Sequence, residues 1–107
     1  MSRVTNLILT FSLLENELEC INKVNQFQYQ KLRMNLVSVD FNKNVKRKEA
    51  WYGGTKFIEA RIYIGAFNYL DLDEFMAHLK KIDWQKPEHV QVIVKEPGQE
   101  KFRMVEL

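Results

Sequence analysis

Two stretches of helical periodicity set among five of strand alternation predict an α+β domain. The expected architecture is a ferredoxin-like two-layer sandwich in β-α-β-β-α-β-β order, with both helices on one face of an antiparallel or mixed sheet. The order divides into β-α-β followed by β-α-β-β, and right-handed crossovers with helix coverage leave few topologies open to such units. With 107 residues, 46% hydrophobic and 28% charged, the chain is sized for one core and is expected to be a single domain over residues 1–107.

The elements follow in order. VTNLILTFS, from Val4 to Ser12, places Thr5, Leu7, Leu9 and Phe11 on one face of a strand. Ser12 and Glu15 have capping-box spacing, so the first helix is expected to start there, with Leu14, Leu18, Ile21 and Val24 as its apolar stripe. In LRMNLVSVDF, Leu32 to Phe41, the alternation changes phase between Leu36 and Val37. A bulge or a strand buried on both sides satisfies that pattern. Phe57 to Phe67 reads as a long strand with one packed face, Ile58, Ala60, Ile62, Ile64 and Ala66, and one mixed face, Phe57, Glu59, Arg61, Tyr63 and Phe67.

Asp71 and Glu74 make a second capping box, with Leu70 and Phe75 as a staple, ahead of Leu72, Phe75, Met76, Leu79 and Ile82 at helical spacing. Lys80 and Lys81 then meet the negative end of the helix dipole, and Pro87 lies beyond it. Val90, Val92 and Val94 alternate along the next strand, and Glu96-Pro97-Gly98-Gln99 suits a type II turn. The expected hairpin pairs Val90–Glu96 with Lys101–Val105 and turns Phe102 and Met104 toward the core.

Standard chemistry has little support. His78 and His89 are the only histidines and Cys20 the only cysteine, which leaves no set at metal-ligand spacing and no intrachain disulfide. No phosphate-binding glycine motif occurs, Gly53-Gly54-Thr55-Lys56 reads as a turn, and Asp71, Asp73 and Glu74 have a sufficient role at a helix start. No catalytic, cofactor-binding or metal-binding residue is assigned. The lone thiol suits a reducing compartment, and the apolar run near the N-terminus is too short for a signal peptide or a membrane span, so a cytoplasmic location is expected.

The charge is uneven. The net value is +2, yet residues 43–61 carry six basic against two acidic groups, while residues 1–42 balance four with four and residues 62–107 set six against eight. Within KNVKRKEAWYGG, Lys46, Arg47 and Lys48 stand beside Trp51 and Tyr52, a combination suited to recognising another protein, an acidic one in particular. Single-stranded nucleic acid is the alternative partner, with rings stacking on bases and cations holding phosphates. The aromatic pattern of an RNA-binding sheet is absent, and the neighbouring acids disfavour that use.

The reading is a non-catalytic protein-binding module. In size and in its lack of catalytic chemistry the chain resembles bacterial toxin-immunity proteins, which implies action as an occluding inhibitor and assigns no residue roles. Dimerisation by extension of the last strand is disfavoured by Lys101 and Arg103, charges of the kind that discourage edge pairing.

Overall fold

A computed structural model of the chain describes residues 3–29, 31–39 and 60–107. Its main sheet has five strands in the order β4-β5-β1-β6-β7. In chain order these are β1 (Val4–Phe11), β4 (Val37–Ser38), β5 (Arg61–Asn68), β6 (Gln91–Lys95) and β7 (Arg103–Val105). All four neighbouring pairs are antiparallel. A separate small hairpin joins β2 (Gln28–Tyr29) to β3 (Leu32–Arg33), and the helices are α1 (Glu17–Val24) and α2 (Leu72–Lys80). Among the described residues the architecture is therefore α+β, with two helices and an antiparallel five-stranded sheet.

β1 lies at the centre because its alternation is the most complete. Thr5, Leu7, Leu9 and Phe11 are all buried, and both helices share one core with the last three of them, contributing Cys20, Ile21 and Val24 from α1 and Leu72, Phe75, Met76 and Leu79 from α2. The two helices also touch directly. His78 Nε2 lies 2.8 Å from the Lys23 carbonyl oxygen, and the His78 ring packs 5.3 Å from Phe27.

α1 starts later than the capping-box spacing predicts. The Glu15 amide donates to the Ser12 carbonyl and the Leu14 amide to Ser12 Oγ, which closes a turn, and Asn16 becomes the cap by accepting from the Glu19 amide at 3.2 Å. Leu14 thus precedes the helix, and Leu18 sits roughly 110° around its axis from the buried Cys20, Ile21 and Val24. Both leucines are exposed. α2 matches its expectation closely: Asp71 accepts from the Glu74 amide, and the buried face is Leu72, Phe75, Met76 and Leu79.

The phase change near Leu36 marks two short strands, β3 and β4. Met34 and Leu36 are buried between them, and Asn25, at the C-terminal end of α1, holds Leu36 by accepting from its amide at 3.0 Å and donating to its carbonyl at 3.3 Å. The β2-β3 hairpin, not expected from sequence, turns at Lys31, which has φ 63°, and docks through Tyr29 against Phe27 and Phe67.

Two facial assignments are reversed. On β5 the mixed face packs inward, with Tyr63 and Phe67 buried, whereas Ile64 and Ala66 are exposed. The pairing explains this: Leu7 opposes Gly65 and Leu9 opposes Tyr63, so odd-numbered residues of β5 share the core face of β1. Gly65 leaves room there for the Phe67 ring, whose Cζ lies 2.4 Å from where a Cβ would stand. On β7 Met104 pairs with Ile93 and faces away from the helices, Phe102 is exposed as well, and Val105 packs against the core instead. The expected turn is present, with Gly98 at φ 83° and the Gln99 amide donating to the Glu96 carbonyl.

Candidate functional site

The sheet has two unlike faces. One meets the helices; the other carries an apolar row that crosses all five strands. Successive pairings align Val37 with Ile64, Ile64 with Ile8, Ile8 with Ile93, and Ile93 with Met104. Backbone alternation explains the row, because apolar residues occupy both sides of β1, β5 and β6 and the described helices cover only one side.

The row is uncovered among the described residues. Val37 is 44% exposed, Ile64 41%, Met104 53% and the adjacent Phe102 46%, while Ile8 and Ile93 in the middle are half-buried by their neighbours. Around it lie Asn6, Thr10, Ala66 and Gln91, all uncharged. Lys95 is the one charged strand residue of this face among those described, and its Nζ lies 5.5 Å from the centre of the Phe102 ring. A contiguous apolar patch with charge kept to its margin, containing Met and Phe, has the composition of an interface centre.

Several polar groups elsewhere are engaged within the fold. Glu15 is only 6% exposed, and its carboxylate accepts the Gln85 amide at 2.9 Å and the Lys86 amide at 2.7 Å. It thereby ties the entry to α1 to the segment after α2. Cys20 is buried beside it, with Sγ 3.8 Å from Glu15 Oε1, and burial first and the Glu15 charge second push its thiol pKa above the ordinary 9.0. That is the reverse of thiolate activation. Tyr63 donates to Glu17 Oε2 at 2.6 Å, and Arg61 lies 3.6 Å from the same carboxylate.

An open cleft beside α2 is lined by Arg3, Tyr69, Asp71, Asp73, Glu96 and Arg103. Its charges are partly engaged, since Arg103 pairs with Glu96 and Asp71 caps the helix. His89 ends a short 3₁₀ turn at Pro87–His89 rather than opening β6. Among the described residues no group of three His, Cys, Asp or Glu side chains is arranged to hold a metal, and no helix is long and apolar enough to cross a membrane.

The sequence-derived site, Lys46, Arg47, Lys48, Trp51 and Tyr52, lies outside the described residues. The open-face row escapes a sequence reading because the alternation of Ile62, Ile64 and Ala66, like that of Phe102 and Met104, predicts a core face. The available signal is the excess of apolar alternation: β5 carries apolar residues on both faces, while the described helices cover only one. No protein-family model, no curated protein and no solved structure matches the chain.

Proposed function

We propose that this chain is a non-catalytic protein-binding domain that uses the open face of its sheet. The observation that carries the reading is the exposed row Val37, Ile64, Ile8, Ile93 and Met104, apolar across its width and bordered by Lys95 alone among charged strand residues described on that face. A rigid sheet presents such a surface with little ordering cost, and covering the exposed part of a single side chain such as Ile64 contributes up to about 1 kcal/mol. Occlusion, in which the folded face lies over a partner's working surface, is the mode that suits it. The order β7-β6-β1-β5-β4, antiparallel throughout, supports a ferredoxin-like arrangement with one appended edge strand. A cytoplasmic location suits a domain whose lone cysteine is a buried free thiol.

Nucleic acid suits this face poorly. Phe102 and Lys95 supply one ring and one cation among its described residues, whereas a base-stacking platform combines several rings with a cationic groove.

Affinity capture by the wild-type chain and by Ile64→Lys, followed by rebinding of the purified partner, tests the reading. Loss of the partner with Ile64→Lys and retention of the native circular dichroism spectrum are expected. Equal capture by both chains would refute use of the open face. Trp51→Ala/Tyr52→Ala, run in parallel, tests the basic segment as a separate point of contact.

A further inference from the structure

We propose that Met104 is a peroxide-oxidised site that switches the open face from apolar to polar, with Gln91 holding the sulfoxide oxygen. The oxidation itself needs no partner; its effect on binding rests on the reading of that face as the binding surface.

Exposure makes the site selective. Of the described methionines, Met34 is 2% exposed and Met76 7%, both within the core, whereas Met104 is 53% exposed on the short edge strand β7. The other described sulfur, that of Cys20, is buried. A peroxide reaches the Met104 thioether directly from solvent and meets the rest only when the core opens. Met104 also faces away from the helices, opposite Ile93, so an added oxygen displaces nothing in the core.

The neighbouring side chains suit the product better than the starting thioether. Gln91 Nε2 donates to Met104 Sδ at 3.5 Å, a bond to a weak acceptor. The same amide is oriented from its other end, where Thr10 Oγ1 donates to Gln91 Oε1 at 3.5 Å. Thr10 and Gln91 pair across β1 and β6, and Met104 is the diagonal neighbour of Gln91, because it opposes Ile93 two residues further on. Oxidation puts the polar S=O oxygen, a stronger acceptor, within reach of that NH2 group.

The peroxide alone balances the step. A sulfur lone pair forms the S–O bond and the O–O bond breaks; with hydrogen peroxide, the departing oxygen takes the proton of the transferred one and leaves as water. The thioether loses two electrons, the peroxide gains them, and methionine sulfoxide reductases reverse the change. Met104 ends the row that runs through Val37, Ile64, Ile8 and Ile93. A sulfoxide there sets a strong dipole into an apolar contact, the change by which methionine oxidation disrupts interfaces.

Treatment of the full chain with hydrogen peroxide under native conditions, followed by peptide mass spectrometry, tests the site. Met104 should gain one oxygen about tenfold or more faster than Met34 and Met76, with the native circular dichroism spectrum retained. In the oxidised chain the Gln91 side-chain NH2 resonance should move downfield. Met104→Leu, which keeps the bulk of the side chain without its sulfur, should show no such response. Once the peroxide is removed, binding of the purified Ile64-dependent partner should be about tenfold or more weaker than before. It should return after treatment with sulfoxide reductase and be insensitive to peroxide in Met104→Leu.

Oxidation of Met104 no faster than that of the buried pair overturns the site, and loss of the native spectrum overturns the switch in favour of damage. An unmoved Gln91 resonance overturns its hold on the oxygen. Undiminished binding by the oxidised chain, where Ile64→Lys still abolishes it, overturns the switch alone and leaves the open-face reading intact. The absence of any Ile64-dependent partner overturns that reading and the switch with it, and leaves the oxidation site to stand on the mass spectra.

Discussion

Replacing Glu15 with alanine removes the acceptor of two backbone amides from a site where water has little access. Glu15 is 6% exposed and receives the Gln85 and Lys86 N–H groups at 2.9 and 2.7 Å. An amide left without its partner in such a place costs about 1–3 kcal/mol, and bonds to an ionised acceptor lie toward the upper end. Two of them give an expected loss of about 2–5 kcal/mol, a large share of the roughly 5–15 kcal/mol that holds a typical domain together. Glu15→Gln keeps one acceptor oxygen but turns an NH2 group toward the second amide, so it should fall between the wild type and Glu15→Ala. Urea unfolding with an unchanged slope measures both losses. Hydrogen exchange should quicken first at Gln85 and Lys86. A loss below about 0.5 kcal/mol for Glu15→Ala, with those amides still protected, would refute the role of the carboxylate as a tie between the two halves.

Two further outcomes follow from the packing and from the thiol. Gly65→Ala places a methyl group 2.4 Å from Phe67 Cζ and 3.1 Å from Leu36 Cδ2, so it should cost about 1–3 kcal/mol in thermal or urea unfolding, and Gly65→Ala/Phe67→Leu should recover part of it. A cost of zero for the single change would mean that the Phe67 ring has another place to go. Cys20 has its pKa raised in the fold, chiefly by burial. The unfolded chain therefore releases this proton first, and the stability difference is constant below pH 9 and declines as pH rises from about 9 through the folded pKa. Cys20→Ala should flatten the onset of that decline, leaving the part contributed by Tyr29, whose raised value also stems from burial. Parallel alkaline unfolding curves for the two chains would show that Cys20 does not titrate in this window.

Local patterning was enough wherever one physical choice dominated. The alternation of β1, the Asp71 cap and the stripe of α2, and the Pro97-Gly98 turn each combine a periodicity with a terminus or turn residue suited to it, and all appear at the expected places. Periodicity failed where both faces of an element are apolar. For β5, Ile62, Ile64 and Ala66 look more like a core than Tyr63 and Phe67 do. The pairing of Leu7 with Gly65 sends the rings inward and leaves the aliphatic row outside. The same ambiguity misplaced Phe102 and Met104, and the candidate site went unseen with them.

Capping illustrates the same division. Ser12 and Glu15 have capping-box spacing, yet Glu15 bonds amides 70 and 71 positions along the chain, and Asn16 takes over as cap. By itself the sequence determined the α+β composition, the first strand and the second helix, because these depend on the order of residues a few positions apart. Only the tertiary structure decided which face of the sheet receives the described helices, since that depends on strand register. The exposed row from Val37 to Met104 is what remained on the other side.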